Sequence, residues 1–130
     1  MRLYLVRHAQ AAPGEPDDLR PLTPEGREQA RALGERLRDE DARPDAVLTS
    51  PLLRARETGG ELANAFELEA EPDERLAPGA SVEDVRAVVE GRGQRVVVVG
   101  HQPDCSQIAA ALTGSKPAFP PAGLAVLELD

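Results

Sequence analysis

Short runs of apolar residues recur along the chain and predict the strands of a sheet. The runs cover residues 3–6, 46–49, 95–100 and 124–129, and a weaker one lies near 68–71. The third run contains four consecutive valines, a composition that suits a strand covered on both faces. It is the strongest strand signal in the chain.

Segments between these runs carry apolar residues at intervals of three or four and predict helices. Thr23 suits the N-cap of the first helix, and Pro24 suits its first helical position. Ser50 and Pro51 repeat this start before the second helix, and Ser81 caps the third. The predicted helices cover about residues 24–37, 52–64, 82–89 and 103–112.

The alternation of strands and helices indicates the α/β class. We expect a single domain over residues 1–130, with three α/β/α layers around a mostly parallel central sheet. Neither an internal repeat nor a linker composition divides the chain. Aromatic residues make up 2% of the sequence, so the predicted core consists of Leu, Val and Ala.

The charge and the cysteine content narrow the choice of partner and compartment. The formal net charge is −8, whereas a nucleic-acid duplex or an anionic membrane demands a positive surface, so we expect neither as a partner. One cysteine cannot form an internal disulfide. The apolar N-terminal stretch is too short for a signal peptide, and no segment approaches the ~20 apolar residues of a membrane span. These features predict a cytoplasmic protein.

Polar clusters directly follow three of the predicted strands. They are Arg7 with His8, the segment 50–54, and Gly100 with His101. The carboxyl ends of parallel strands meet at one edge of an α/β sheet, where ligands bind, so we expect the clusters to converge on one pocket. The chain has only two histidines, and both belong to these clusters.

The same clusters carry a family resemblance. Residues 5–9 (Leu-Val-Arg-His-Ala) resemble the Arg-His-Gly signature of the histidine phosphatase superfamily, with Ala9 where the superfamily usually has Gly. Residues 49–58 (Thr-Ser-Pro-Leu-Leu-Arg-Ala-Arg-Glu-Thr) resemble its Ser-Pro-x-x-Arg-Ala-x-x-Thr segment, and residues 99–103 are similar to its Gly-His block. The short chain and the run at 20–26 resemble the SixA-type phosphohistidine phosphatases of that superfamily.

The resemblance implies a phosphoglycerate mutase-like fold and a phosphatase that forms a covalent phosphohistidine intermediate. It implies that His8 attacks phosphorus, which an imidazole does only when neutral. Arg7 and Arg54 would bind the phosphoryl oxygens through their planar guanidinium groups. His101 would donate to a further oxygen in the transition state, and Arg20 is a further candidate for binding the substrate phosphate. These groups suffice for phosphoryl transfer, so we expect no metal and no cofactor.

The sequence leaves the general acid open. Asp17 and Asp18 lie in the loop after the first cluster, and Glu74 lies in the segment that often carries the acid in larger relatives. A phosphohistidine leaves as imidazole from a labile P–N bond, so the demand for a strong acid is small. Ser50 and Thr58 are interpreted as structural residues, a helix cap and a helix residue facing the cluster.

The chain lacks the residues that other phosphatase mechanisms require. A cysteine phosphatase built on Cys105 requires an arginine at position 111, where the chain has Ala111. A metallophosphatase needs several His and Asp ligands at fixed spacing, and both histidines are already assigned. The segment 91–93 (Gly-Arg-Gly) precedes its strand and lacks the Walker pattern, so it predicts a turn.

The loops at 12–22 and 76–80 are short, so we expect an open pocket that binds phosphate or a phosphate mimic. Such a pocket suits phosphohistidine on the surface of a partner protein, for example a phosphotransfer domain. Two alternatives stay open: a broad-specificity phosphomonoesterase for small molecules, and a non-catalytic module that binds phosphate or a phosphoprotein. The intact nucleophile favours an enzyme over the binding module.

Overall fold

A five-stranded sheet forms the centre of the protein in the computed structural model, which describes residues 1–130. The strands are β1 (Arg2–Arg7), β2 (Ala46–Thr49), β3 (Ala70–Pro72), β4 (Arg95–Gly100) and β5 (Leu124–Glu128). They lie in the order β3-β2-β4-β1-β5, and every neighbouring pair is parallel except β1 with β5. The mostly parallel sheet is therefore confirmed. The weak strand predicted near 68–71 lies slightly later in the chain, at β3.

Four helices connect these strands. They are α1 (Pro24–Asp39), α2 (Leu53–Asn64), α3 (Val82–Val89) and α4 (Asp104–Thr113). Single 3₁₀ turns lie at Asp17–Leu19 and Glu74–Leu76. No helix of the protein is both long enough and apolar enough to cross a membrane.

The predicted helix caps have different outcomes. Thr23 Oγ1 accepts a hydrogen bond from Gly26 N–H at 2.9 Å, which confirms the N-cap of α1. Ser81 forms a capping box with Asp84 at the start of α3, as predicted. The prediction for Ser50 is wrong, because the N-cap position of α2 is Leu52 and no side chain caps that helix.

Helices cover both faces of the sheet. Because side chains alternate across a strand, Val96 and Val98 pack with residues of α3 and α4, whereas Val97 and Val99 pack with residues of α1 and α2. All four valines are buried, and burying each such side chain stabilises the fold by roughly 1.5–3 kcal/mol. This arrangement confirms the three-layer α/β/α architecture.

The sheet register brings the polar clusters together. Arg7 pairs with Gly100 across β1 and β4, and Thr49 pairs with Val99 across β2 and β4. The next residue in each strand continues this alignment, since His8 N–H donates to Gly100 O and Ser50 N–H donates to Val99 O, both at 3.0 Å. The ends of three adjacent parallel strands therefore form one site.

Candidate active site

His8 directly follows β1 and has one ring nitrogen engaged. Its Nδ1 lies 2.7 Å from the carbonyl oxygen of Ala9. A carbonyl oxygen only accepts, so Nδ1 carries the ring proton and Nε2 carries the lone pair. Nε2 has no hydrogen-bond partner in the protein and is not sealed from solvent. The nitrogen that is free to react is therefore accessible to solvent.

The surroundings of His8 favour its neutral form. Burial is the largest cause that lowers the pKa of His8 below its ordinary value, and the positive charges of Arg54, Arg7 and Arg20 lower it further. The hydrogen bond to Ala9 opposes this shift. Burial therefore contributes more than the guanidinium groups to keeping the ring neutral.

His101 follows β4 and lies beside His8. The two ring centroids are 5.2 Å apart, with the ring planes inclined by 60°. His101 is 4% exposed, and its Nε2 lies 2.8 Å from Ser50 Oγ. Burial first, and then the neighbouring His8 and Arg54, lower the pKa of His101 to about 4. Both imidazoles are therefore neutral near pH 7.

Arg54 lies in the first turn of α2 and is 7% exposed. Its Nη1 donates to Asp17 O at 2.8 Å, and its Nη2 donates to Asp17 Oδ2 at 3.1 Å. Arg20 Nη1 donates to the other carboxylate oxygen of Asp17 at 2.9 Å, and Arg20 Nε donates to Ala12 O at 2.8 Å. One carboxylate thus bridges two of the guanidinium groups that act on His8.

Asp17 is ionised in this arrangement. Hydrogen bonds from Arg20, and then from Arg54, lower the pKa of the Asp17 carboxyl. By contrast, the side chains of Asp18 and Glu74 form neither a hydrogen bond nor an ion pair. Of the three candidates for the general acid, only Asp17 contacts the arginines of the site.

Arg7, the last residue of β1, is held by the segment that precedes β5 and not by Asp17. Its Nη1 donates to Phe119 O at 2.9 Å, in the segment that precedes β5. Arg7 Nε is buried and has no hydrogen-bond partner, although buried N–H groups are almost always paired. The guanidinium group is therefore fixed in place while part of its donor capacity stays unused.

Thr58 hydrogen-bonds the backbone at Ala9, the residue that follows His8. Thr58 Oγ1 accepts from Ala9 N–H at 3.0 Å and donates to Arg54 O at 2.8 Å, so Thr58 is structural, as predicted. Ala9 is fully buried, packs with Leu22 and Ala30, and has a backbone outside the left-handed region. The methyl group at this position, where the superfamily usually has glycine, is accommodated in that small cluster.

Ser50 is the site residue whose role sequence reasoning missed. Its hydroxyl does not cap α2 but lies 2.8 Å from His101 Nε2 and accepts from Leu52 N–H at 3.2 Å. A serine followed by a proline before an amphipathic segment is typical of a helix start, which explains the wrong interpretation. Only the register of β2 against β4 places the hydroxyl beside the imidazole.

The site is not enclosed in a cavity. No cavity in the protein is lined by His8, Arg7, Arg54 or His101. The largest cavity, about 520 Å³, lies at the opposite end of the sheet beside Met1. Nowhere do three or more His, Cys, Asp or Glu side chains gather closely enough to hold a metal ion.

The chain is similar to a known protein family over residues 3–78, and to individual relatives over its whole length. The profile of the Histidine phosphatase superfamily (branch 1) matches residues 3–78. Phosphohistidine phosphatase SixA of Escherichia coli K12 is 30% identical, over 100% of this chain and 86% of that protein. Its homolog in Haemophilus influenzae is 32% identical, over 100% of this chain and 89% of that protein. The solved structure of the protein histidine phosphatase SixA complexed with tungstate has a TM-score of 0.90 at 29% identity, covering 100% of this chain and 89% of that chain.

Proposed function

Because the chain belongs to the histidine phosphatase superfamily, we propose that it removes phosphate from phosphohistidine on a partner protein, through a covalent intermediate on His8. The observation that carries this proposal is the state of His8. Its Nδ1–H is held by Ala9 O at 2.7 Å, and its Nε2 is unpaired and accessible to solvent. A neutral imidazole with a fixed tautomer is a competent nucleophile.

In the first step, His8 Nε2 attacks the phosphorus of the substrate. The Nε2–P bond forms while the P–N bond to the substrate imidazole breaks, and the leaving imidazole takes the electron pair and gains a proton from solvent. Ala9 O keeps its hydrogen bond to Nδ1–H throughout. This bond stabilises the positive charge that the ring acquires when it is phosphorylated.

In the second step, water attacks the phosphorus of phosphorylated His8. The new P–O bond forms while the Nε2–P bond breaks and returns its electron pair to Nε2. Inorganic phosphate leaves with the protons of the water, one of which it can lose to solvent, and neutral His8 is restored. Phosphoryl transfer asks the protein for positioning and charge stabilisation. Arg7, Arg54 and His101 are assigned that role, with Arg20 steering the incoming phosphoryl group, and none of these steps uses a metal ion or a cofactor.

The proposed mechanism depends little on a general acid. Asp17 is ionised, because its hydrogen bonds to Arg20 and Arg54 lower the pKa of its carboxyl. It therefore holds no proton for a leaving group before substrate binds. An alkoxide leaving group needs such a proton more than an imidazole does, so this arrangement favours phosphohistidine over a phosphate ester.

The open site and the relatives support a protein substrate. No cavity encloses His8, an arrangement that suits a phosphorylated side chain on a protein surface. Two relatives named for phosphohistidine phosphatase activity align with this chain over 100% of its length. The similar solved structure is complexed with tungstate, which has the tetrahedral shape of phosphate.

The substrate class is tested by comparing turnover of two kinds of substrate by the chelator-treated protein. One is a phosphotransfer protein phosphorylated on histidine, and the other is a panel of sugar phosphates. We expect the phosphohistidine protein to have the larger kcat/KM. Rapid hydrolysis of sugar phosphates with no release from phosphohistidine would instead indicate a phosphomonoesterase. Binding of the phosphoprotein without turnover would indicate a non-catalytic module.

A further inference from the structure

The hydroxyl of Ser50 and the ring of His101 meet where β2 and β4 end. Ser50 Oγ lies 2.8 Å from His101 Nε2, and Ser50 is fully buried. The same oxygen accepts a hydrogen bond from Leu52 N–H at 3.2 Å. A serine hydroxyl has one proton to donate, and His101 Nε2 is its only acceptor in the structure.

The position of the ring proton follows from this contact. If the Ser50 hydroxyl donates to Nε2, neutral His101 carries its proton on Nδ1. If Nε2 carried the proton instead, the fully buried hydroxyl would donate to nothing, and an unpaired buried donor is costly. Proton accounting therefore favours the Nδ1–H tautomer of His101.

His101 Nδ1 is unpaired and accessible to solvent. It has no hydrogen-bond partner in the protein, and Arg7 Nε is the only unpartnered side-chain nitrogen or oxygen that is sealed from solvent. The ring lies 5.2 Å, between centroids, from the ring of His8. In the Nδ1–H tautomer, a neutral His101 thus presents a proton beside the nucleophile.

We propose that Ser50 is a positioning residue, which holds His101 as the Nδ1–H tautomer so that the neutral ring donates to the transferring phosphoryl group. This inference rests on the proposed function, which places that group between the two histidines. Without the hydroxyl, the Nε2–H tautomer becomes available, and in that tautomer Nδ1 turns a lone pair toward the phosphoryl oxygens. Nδ1 of His101 would then repel the phosphoryl oxygens instead of donating a hydrogen bond to them.

The tautomer can be read directly by NMR because the chain has only two histidines. Long-range ¹H–¹⁵N correlation spectra of the untagged, ¹⁵N-labelled protein at pH 7 distinguish a protonated ring nitrogen from one with a lone pair. Three proteins are compared: wild type, Ser50→Ala and Thr49→Val. Thr49 is the matched control, since it is equally buried and its hydroxyl donates to Ser50 O at 2.9 Å without contacting an imidazole.

We expect wild type and Thr49→Val to show His101 protonated on Nδ1, and Ser50→Ala to show protonation on Nε2. The kcat of Ser50→Ala on a phosphohistidine protein should fall on the order of 10²-fold, the loss typical for one pre-aimed donor. Its KM should change much less than its kcat. Thr49→Val should retain the wild-type kcat.

Several outcomes overturn this assignment of Ser50. They are an Nε2–H tautomer of His101 in wild type, an unchanged tautomer in Ser50→Ala, or an equal loss of kcat in Thr49→Val. The wild-type spectrum decides the tautomer even if Ser50→Ala fails to fold. An Nδ1–H tautomer in a wild-type protein that releases no phosphate from any substrate would overturn the proposed function and leave the tautomer assignment standing.

Discussion

Asp17 contacts Arg54 through two different oxygens. Its carbonyl oxygen accepts from Arg54 Nη1 at 2.8 Å, and its carboxylate accepts from Arg54 Nη2 at 3.1 Å. The second carboxylate oxygen accepts from Arg20 at 2.9 Å. The carboxylate of Asp17 therefore lies on guanidinium groups that the proposed mechanism assigns to the phosphoryl group. The two anions compete for the same donors.

Removing this charge should strengthen phosphate binding. In Asp17→Asn the main-chain contact with Arg54 remains, but the competing anion is gone. Exposed ion pairs are weak, so the inhibition constant for inorganic phosphate should fall only modestly, by up to about fivefold. Asp18→Asn is the control and should leave this constant unchanged, because Asp18 forms no ion pair. Weaker phosphate binding by Asp17→Asn would contradict this account of Asp17.

Arg54 should be essential for the rate, and its neighbour on the helix surface should not be. Arg54→Gln removes a buried donor aimed at the phosphoryl group, so kcat/KM should fall on the order of 10²–10³-fold. Arg56 is exposed on the same helix and serves as the matched control. Steady-state kinetics of Arg54→Gln and Arg56→Gln on a phosphohistidine protein measure the difference. Similar losses of kcat/KM in both variants would contradict a role for Arg54 in catalysis.

The pH dependence of the enzyme should follow the protonation of His8. Attack requires the neutral ring, and the pKa of His8 lies below its ordinary value of 6.5 because of burial and the nearby arginines. Activity should therefore persist below pH 6.5 and decline as the pH falls through the pKa of His8, a decline that kcat/KM reports for the free enzyme. An NMR titration should show both histidines titrating below 6.5, with His101 at about 4. An acid limb above pH 6.5 would be incompatible with this prediction.

Two adjacent glycines of α2 should respond to alanine with opposite signs. A Cβ at Gly60 meets nothing within 4 Å, so Gly60→Ala should raise the free energy of unfolding by about 0.5–1 kcal/mol. A Cβ at Gly59 would clash with Thr49 Cγ2, so Gly59→Ala should lower that free energy by about 1–3 kcal/mol through overpacking. Urea unfolding of both variants checks the difference. Equal stabilisation by the two would show that α2 does not pack tightly against β2.

Much of the fold could be predicted because the apolar pattern is simple. The valine run of β4 and the alternation of strands with amphipathic helices indicate a mostly parallel sheet with both faces covered. Parallel topology then places the ends of β1, β2 and β4 at one edge, so His8, Arg54 and His101 could be expected to converge. The sequence does not show the exact start of β3, a short edge strand that includes Pro72.

The parts that could not be predicted depend on geometry that the sequence pattern does not contain. Asp17 and Asp18 are chemically identical neighbours, and only the backbone turn at Asp17–Leu19 selects which one contacts Arg54. Ser50 has the sequence context of a helix cap, and its contact with His101 results from the strand register. The larger effect of burial than of the arginines on the pKa of His8 likewise requires the packed structure.

The most direct test of the central claim is to trap phosphate on His8. Purified wild type and His8→Ala, both treated with chelator, are incubated with a phosphotransfer protein carrying ³²P-phosphohistidine, and the reaction is quenched at alkaline pH. We predict phosphate release and an acid-labile, alkali-stable label on the wild-type protein only. Phosphate release by His8→Ala at the wild-type rate, or no label and no release from folded wild type, would contradict catalysis by His8.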